Sequence, residues 1–127
     1  MSREIISTDA APAAVGPYSQ AIRAGSMLYT SGQIAIDPAT GVMSTGDVAE
    51  QADLALKNLA AVLQAGGSSM QGVVKTMVFL TSMEHFKPMN AVYEKHFGSS
   101  LPARSCVAAA ELPLGALFEI EAVAIVG

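Results

Sequence analysis

The 127-residue chain has one cysteine, Cys106, so no disulfide can close within it. A lone thiol fits a reducing compartment. Basic residues are few: seven Lys and Arg stand singly along the sequence against eleven Asp and Glu, for a net charge of −4. Nucleic-acid binders usually gather basic residues into a patch, so this balance counts against RNA or DNA as a partner. No apolar run approaches the length of a membrane span. The start, Met1-Ser2-Arg3-Glu4-Ile5-Ile6, lacks the apolar core of a secretory signal. The expectation is a soluble, cytoplasmic protein without a membrane partner. Sequence motifs for several chemistries are also missing: there is no P-loop, no dinucleotide-binding glycine pattern, no HExxH and no paired CxxC. His85 and His96 lie eleven residues apart with no cysteine near either, which leaves a metal site unsupported. Scattered serines do not make a Ser-His-Asp triad.

Apolar residues dominate instead. They make up 51% of the chain and charged residues only 14%. Residues 1–127 suffice for one domain with one core, and a domain of this size keeps much of its surface in water. An oligomer that hides one sheet face between subunits resolves the mismatch; the alternative is an alanine-rich monomer.

The order of elements reads ββ-α-β-α-ββ. Ala11-Pro12-Ala13-Ala14-Val15-Gly16-Pro17 is an extended or turning segment. Ala21-Ile22-Arg23 and Met27-Leu28-Tyr29-Thr30-Ser31 flank a turn and predict a hairpin. Asp37-Pro38-Ala39-Thr40-Gly41 is a second turn. Asp47 with Glu50 three residues on resembles an acidic capping box. Ala52, Ala55, Leu56, Leu59, Val62 and Leu63 then recur at helical spacing until Gly66-Gly67 ends the helix. The β-branched run at 72–81 predicts a buried strand. Pro88 is placed to open a second helix at its first position, with Met89, Val92, Tyr93, His96 and Phe97 on its apolar side and Gly98 as its stop. Strands at about 104–110 and 118–126 complete an α+β domain with helices on one face of a sheet.

Alternation in the last two strands puts Arg104, Cys106 and Ala108 on one face, and Glu119, Glu121, Val123 and Ile125 together on one face. Two carboxylates beside Val and Ile suggest a partly buried acid that needs a partner. By pattern alone Arg104 reads as an ordinary salt-bridge or edge residue, and Cys106 as a small buried apolar one. His85 reads as solvated and His96 as packed late in its helix.

Six blocks, taken in order, resemble the signature of one family. They are Gly16-Pro17-Tyr18-Ser19-Gln20-Ala21, Tyr29-Thr30-Ser31-Gly32-Gln33-Ile34, the strand from Val74 to Leu80, Met89-Asn90-Ala91-Val92-Tyr93, Pro102-Ala103-Arg104-Ser105-Cys106-Val107 and Glu119-Ile120-Glu121-Ala122-Val123-Ala124. Together they look like the RidA (YjgF-type) enamine/imine deaminases, and the PARSCV block with EIEA is the most specific part. The resemblance implies a chorismate-mutase-like fold, with two helices on one face of a mixed, mainly antiparallel sheet, and a homotrimer with sites between subunits. It implies hydrolysis of 2-imino acids and enamines such as 2-aminoacrylate and 2-iminopropanoate to 2-keto acids and ammonia, protecting pyridoxal-phosphate enzymes, with no metal or organic cofactor. Position by position it implies that Arg104 grips the substrate carboxylate and that Glu119 orients or activates water. Tyr18 and Asn90 match pocket-wall residues, and Gly32 and Cys106 match positions whose backbone faces the ligand. Pattern alone reads Tyr18 as loop packing, Asn90 as a helix-surface amide and Gly32 as a bulge or bend. Residues 114–117 lie where members vary in polarity. Two rival functions share the fold: a ribonuclease that inhibits translation, and a non-catalytic module for a small carboxylate.

A hairpin of 104–110 with 118–126, centred near Leu114, would set Arg104 opposite about Ala124. Glu119 would then be roughly 17 Å away at the usual strand rise. The expectation is a site that takes Arg104 from one chain and Glu119 from the next.

Overall fold

The computed structural model describes residues 3–127; Met1 and Ser2, the start of the segment read for a signal sequence, lie outside the described residues. Six strands form one sheet in the order β1-β2-β3-β6-β4-β5. They are β1 (Arg3–Ile6), β2 (Ala21–Ala24), β3 (Met27–Thr30), β4 (Val73–Leu80), β5 (Ala103–Ala108) and β6 (Phe118–Ile125), with α1 (Val48–Ala65) and α2 (Phe86–Phe97) between them. All neighbouring pairs are antiparallel except β4 with β5. This is the α+β fold with a mixed, mainly antiparallel sheet.

The helices form where the sequence pattern places them. Asp47 caps α1 by accepting a hydrogen bond from the Glu50 backbone N–H at 2.9 Å, satisfying an orphan donor of the first turn. Ala52, Ala55, Leu56, Leu59, Val62 and Leu63 are fully buried against the sheet, facing Leu28, Phe118, Ile120 and Ala124. The β2–β3 turn closes as expected, with Gly25 at φ +63°, a value that glycine takes without steric cost.

Four expectations need correction. Residues 104–110 and 118–126 do not form a hairpin: β4 lies between β5 and β6, and β5 runs parallel to β4. The connection from β4 to β5 passes through α2, the kind of crossover that parallel neighbours require. The order gains a first strand, β1, which pairs along β2 from Arg3 opposite Ala24 to Ile6 opposite Ala21. Pro88 does not open α2; the helix begins at Phe86, and Pro88 is its third residue. There its missing N–H still costs nothing, because first-turn donors have no partner within the helix. The last strands are also shorter than expected, ending at Ala108 and Ile125.

Both helices pack on one face. The other face is uncovered within the chain and largely apolar, with Tyr29 48%, Val107 42% and Ile125 51% exposed beside half-buried Met77, Phe79 and Val123, though Lys75, Ser105, Glu119 and Glu121 share it. Among the described residues no helix is long and apolar enough to cross a membrane.

Candidate active site

Arg104 is the second residue of the edge strand β5, after Pro102 and Ala103, and pairs in register with Thr76 of β4. Thr76 is fully buried and shares a 2.8 Å hydrogen bond with the Tyr93 hydroxyl of α2, so this register position faces the helices. The Arg104 side chain accordingly runs up to α2. Its Nη1 donates to Asn90 Oδ1 at 2.7 Å. Its guanidinium carbon lies 4.7 Å from the centre of the Tyr93 ring and 5.5 Å from that of Phe86. A guanidinium over aromatic faces is held electrostatically while the rest of its donor fork stays free. It lines a cleft of about 460 Å³ shared with Asn90, Tyr93 and Leu101.

Cys106, two residues along β5 on the same face, is half-buried and packs against the core. Burial raises its thiol pKa above the ordinary value, partly opposed by the Arg104 charge. The net shift favours the thiol over the nucleophilic thiolate. Burial likewise raises the Tyr93 phenol, opposed by the Thr76 hydrogen bond and by Arg104.

Glu119 is on the other side of the sheet. It alternates with Phe118 and Ile120, both fully buried under the helices, and stands opposite Phe79. Among the described residues it makes no ion pair. Burial raises its pKa above the ordinary 4.5, and the Glu121 charge adds to the rise. Gly32 lies against it: a Cβ there would come within 2.8 Å of the Glu119 carboxyl carbon. Between Tyr29–Val123 and Gln33–Ile120 the pairing spans four steps on one strand (29 to 33) and three on the other (123 to 120). Gly32 sits in that irregularity, as a bend or bulge reading expects. Glu119, Gly32 and the exposed Tyr18 line one cavity of about 490 Å³.

The six candidate residues therefore divide into two half-sites, Arg104, Asn90 and Cys106 on one face and Glu119, Gly32 and Tyr18 on the other. Arg104 is in register with Thr76 and so with Ala122, three residues from Glu119 and two strands away. That is about 14 Å between α-carbons, with the side chains pointing apart. The roughly 17 Å hairpin estimate used the wrong pairing. Sequence reasoning missed Phe86, Tyr93 and Thr76 as supports of Arg104. Phe86, Asn90, Tyr93 and Phe97 follow helical spacing, and that single stripe was the available signal. Each half-site also holds a leucine at positive φ, Leu101 at +45° and Leu114 at +56°, the only non-glycine cases among the described residues. No group of three or more His, Cys, Asp or Glu gathers among the described residues.

A cation with a free donor fork and a half-buried, cation-free carboxylate over an open cavity are the parts of a small-carboxylate site that also handles a proton. The sequence model for endoribonuclease L-PSP matches residues 8–126. A 2-iminobutanoate/2-iminopropanoate deaminase from Mus musculus is 47% identical over 125 residues, covering 98% of this chain and 93% of its own. Crystal structures of E. coli TdcF with bound serine (42% identity, TM-score 0.93, 98% of this chain and 99% of that one) and of the E. coli YjgF gene product (43%, 0.92, 96% and 98%) superpose on it. The chain belongs to the endoribonuclease L-PSP family, that of the RidA (YjgF-type) proteins.

Proposed function

We propose that this protein hydrolyses reactive 2-imino acids and their enamine tautomers, such as 2-iminopropanoate and 2-aminoacrylate, to 2-keto acids and ammonia. It does so in the cytoplasm, between neighbouring subunits of a homotrimer, and so protects pyridoxal-phosphate enzymes. The observation that carries the reading is the division into two half-sites: a carboxylate grip at Arg104 and a proton-handling carboxylate at Glu119, on opposite faces of one chain. A second chain, related by rotation, would bring the two together. The apolar, uncovered sheet face gives neighbouring chains a surface to bury. The name of the mouse relative and the serine bound in TdcF support a small amino-acid derivative as substrate.

The chemistry asked of these groups is modest, since such imines already hydrolyse in water. Arg104 offers parallel charged hydrogen bonds to the carboxylate and sets the reacting carbon in place. Tyr18 walls the cavity, Asn90 holds Arg104, and the backbone at Gly32 and Cys106 faces the ligand. Water adds to the imine carbon; its proton passes to Glu119, and the C=N pair moves to nitrogen, which takes that proton back. The hydroxyl proton of the resulting carbinolamine then travels the same way to nitrogen. The C–N bond breaks, the carbonyl forms and ammonia leaves. A raised pKa makes Glu119 a better base for this near neutrality.

The test generates imines in situ with an amino-acid oxidase and follows keto-acid release. Acceleration by the protein is expected, and equal rates with and without it overturn the reading. The description of the matching family model raises RNA cleavage as a second reading. The net charge of −4 argues against it, and RNA binding that weakens steeply with salt would argue for it.

A further inference from the structure

The reacting carbon of a 2-imino acid bears a carboxylate, a nitrogen and a side chain. With the carboxylate at Arg104 and the nitrogen and water at Glu119, the rest of the Glu119 cavity is left for the side chain. Val15, Ile34, Ile36, Pro113 and Leu114 wall it, and Glu119 is the only charged residue among those that line it. The Gln20 amide, also in the lining, is already engaged: Nε2 donates to Thr8 O and Pro12 O at 3.0 and 2.8 Å, and Oε1 accepts from Thr8 N–H at 2.7 Å. With the neighbour's Arg104 taken by the α-carboxylate, an acidic side chain would find no second cation among the residues that line the cavity and would face the Glu119 charge.

Within this wall Leu114 is set apart by its backbone. At φ 56° and ψ 25° it is in the left-handed region that a γ-branched residue rarely takes, between Pro113 and Gly115, itself at φ 71°. Its side chain is not the reason, since the residue is 68% exposed and gains little burial within the chain. A strained leucine held open at a cavity mouth is explained if its contact forms when the cavity fills.

We infer that Leu114 is a specificity-determining residue, selecting imino acids with aliphatic side chains over those with acidic ones. The inference rests on the deaminase reading and goes beyond it by assigning the side-chain subsite.

The experiment compares kcat/KM of the full-length assembled protein, Leu114→Gly and Leu114→Arg on imines derived from alanine, leucine and aspartate. Glycine is at ease at φ 56°, so this variant removes the side chain without adding strain. In Leu114→Gly the leucine-to-alanine ratio should fall about tenfold, the scale of lost apolar contact in a pocket. In Leu114→Arg the aspartate-to-leucine ratio should rise tenfold or more, because a guanidinium pairs with the added carboxylate. Ratios that stay within about twofold in both variants overturn the inference and leave the deaminase reading standing. A wild-type protein inert on all three imines overturns that reading, and the inference with it. Dissociation of Leu114→Gly by sedimentation, with all three rates lost equally, also overturns it by making Leu114 an assembly residue.

Discussion

Arg104 and Glu119 lie on opposite faces of one sheet, with β4 between their strands. No rotamer of either side chain changes that, because a strand's faces are set by its pleat.

If Arg104 grips the carboxylate as proposed, Arg104→Ala removes a charged, bidentate contact and should cost roughly 2 to 5 kcal/mol of transition-state stabilisation. At about 1.4 kcal/mol per tenfold, kcat/KM falls some thirtyfold or more. Arg104→Lys should be nearly as poor, since an ammonium reproduces neither the fork nor the stacking on Tyr93 and Phe86. Steady-state assays of keto-acid release decide it, and unchanged rates in Arg104→Ala refute the grip.

Subunit mixing tests the shared site. Inactive Arg104→Ala and inactive Glu119→Ala, unfolded and refolded together in equal amounts, should recover about a quarter of full activity, because about a quarter of randomly formed interfaces carry both wild-type residues. A site within one chain recovers nothing, as every chain carries a lesion. Zero activity from verified mixed oligomers would sink the two-chain site.

The pH profile should carry the signature of Glu119. Burial first and Glu121 second raise its pKa above 4.5, and the base must be ionised to take a proton. So kcat/KM should fall toward acid as Glu119 protonates, and Glu119→Gln should lose that limb along with most activity. The stability sign is opposite: a folded pKa above the unfolded one stabilises at low pH, and this contribution is lost as pH rises through the folded pKa. Urea titrations of wild type and Glu119→Gln across that range measure it.

Gly32→Ala separates geometry from folding. The atoms nearest the added Cβ are the carboxylate and Cγ of the flexible Glu119 side chain, with no backbone atom among them, so the fold should lose less than about 1 kcal/mol. Displacing that carboxylate by about an ångström should still cost up to a hundredfold in kcat/KM. Denaturant melts and kinetics on the same preparation check both halves.

Cys106→Ser should keep substantial activity, because burial favours the thiol over the thiolate and the proposed nucleophile is water. Mass spectrometry that captures a covalent Cys106 adduct during turnover would contradict this.

Much of this architecture was legible because local signals agreed. Asp47 and the apolar stripe from Ala52 to Leu63 define α1 almost to the residue. Strand partnership was not, since alternation assigns Glu119 a face without saying which strand lies beside it. The order β4-α2-β5 already carried the hint of a parallel pair, yet proximity in sequence favoured the hairpin. The four residues of β1, Arg3–Ile6, are too few for a period to emerge. Of the site, only the apposition of blocks to a known family singled out Tyr18 and Asn90. The aromatic bed under Arg104 stayed hidden because Tyr93 serves the core and the guanidinium at once.

The split between faces also makes the molecule modular. On the proposed reading, one half holds the group common to every 2-imino acid, and the other meets the part that differs among them. Substitutions around the Glu119 cavity can therefore retune substrate choice while the anchor at Arg104 stays untouched. Two related chains that co-assembled would yield interfaces pairing the anchor of one with the selectivity of the other, a repertoire wider than either gene encodes alone.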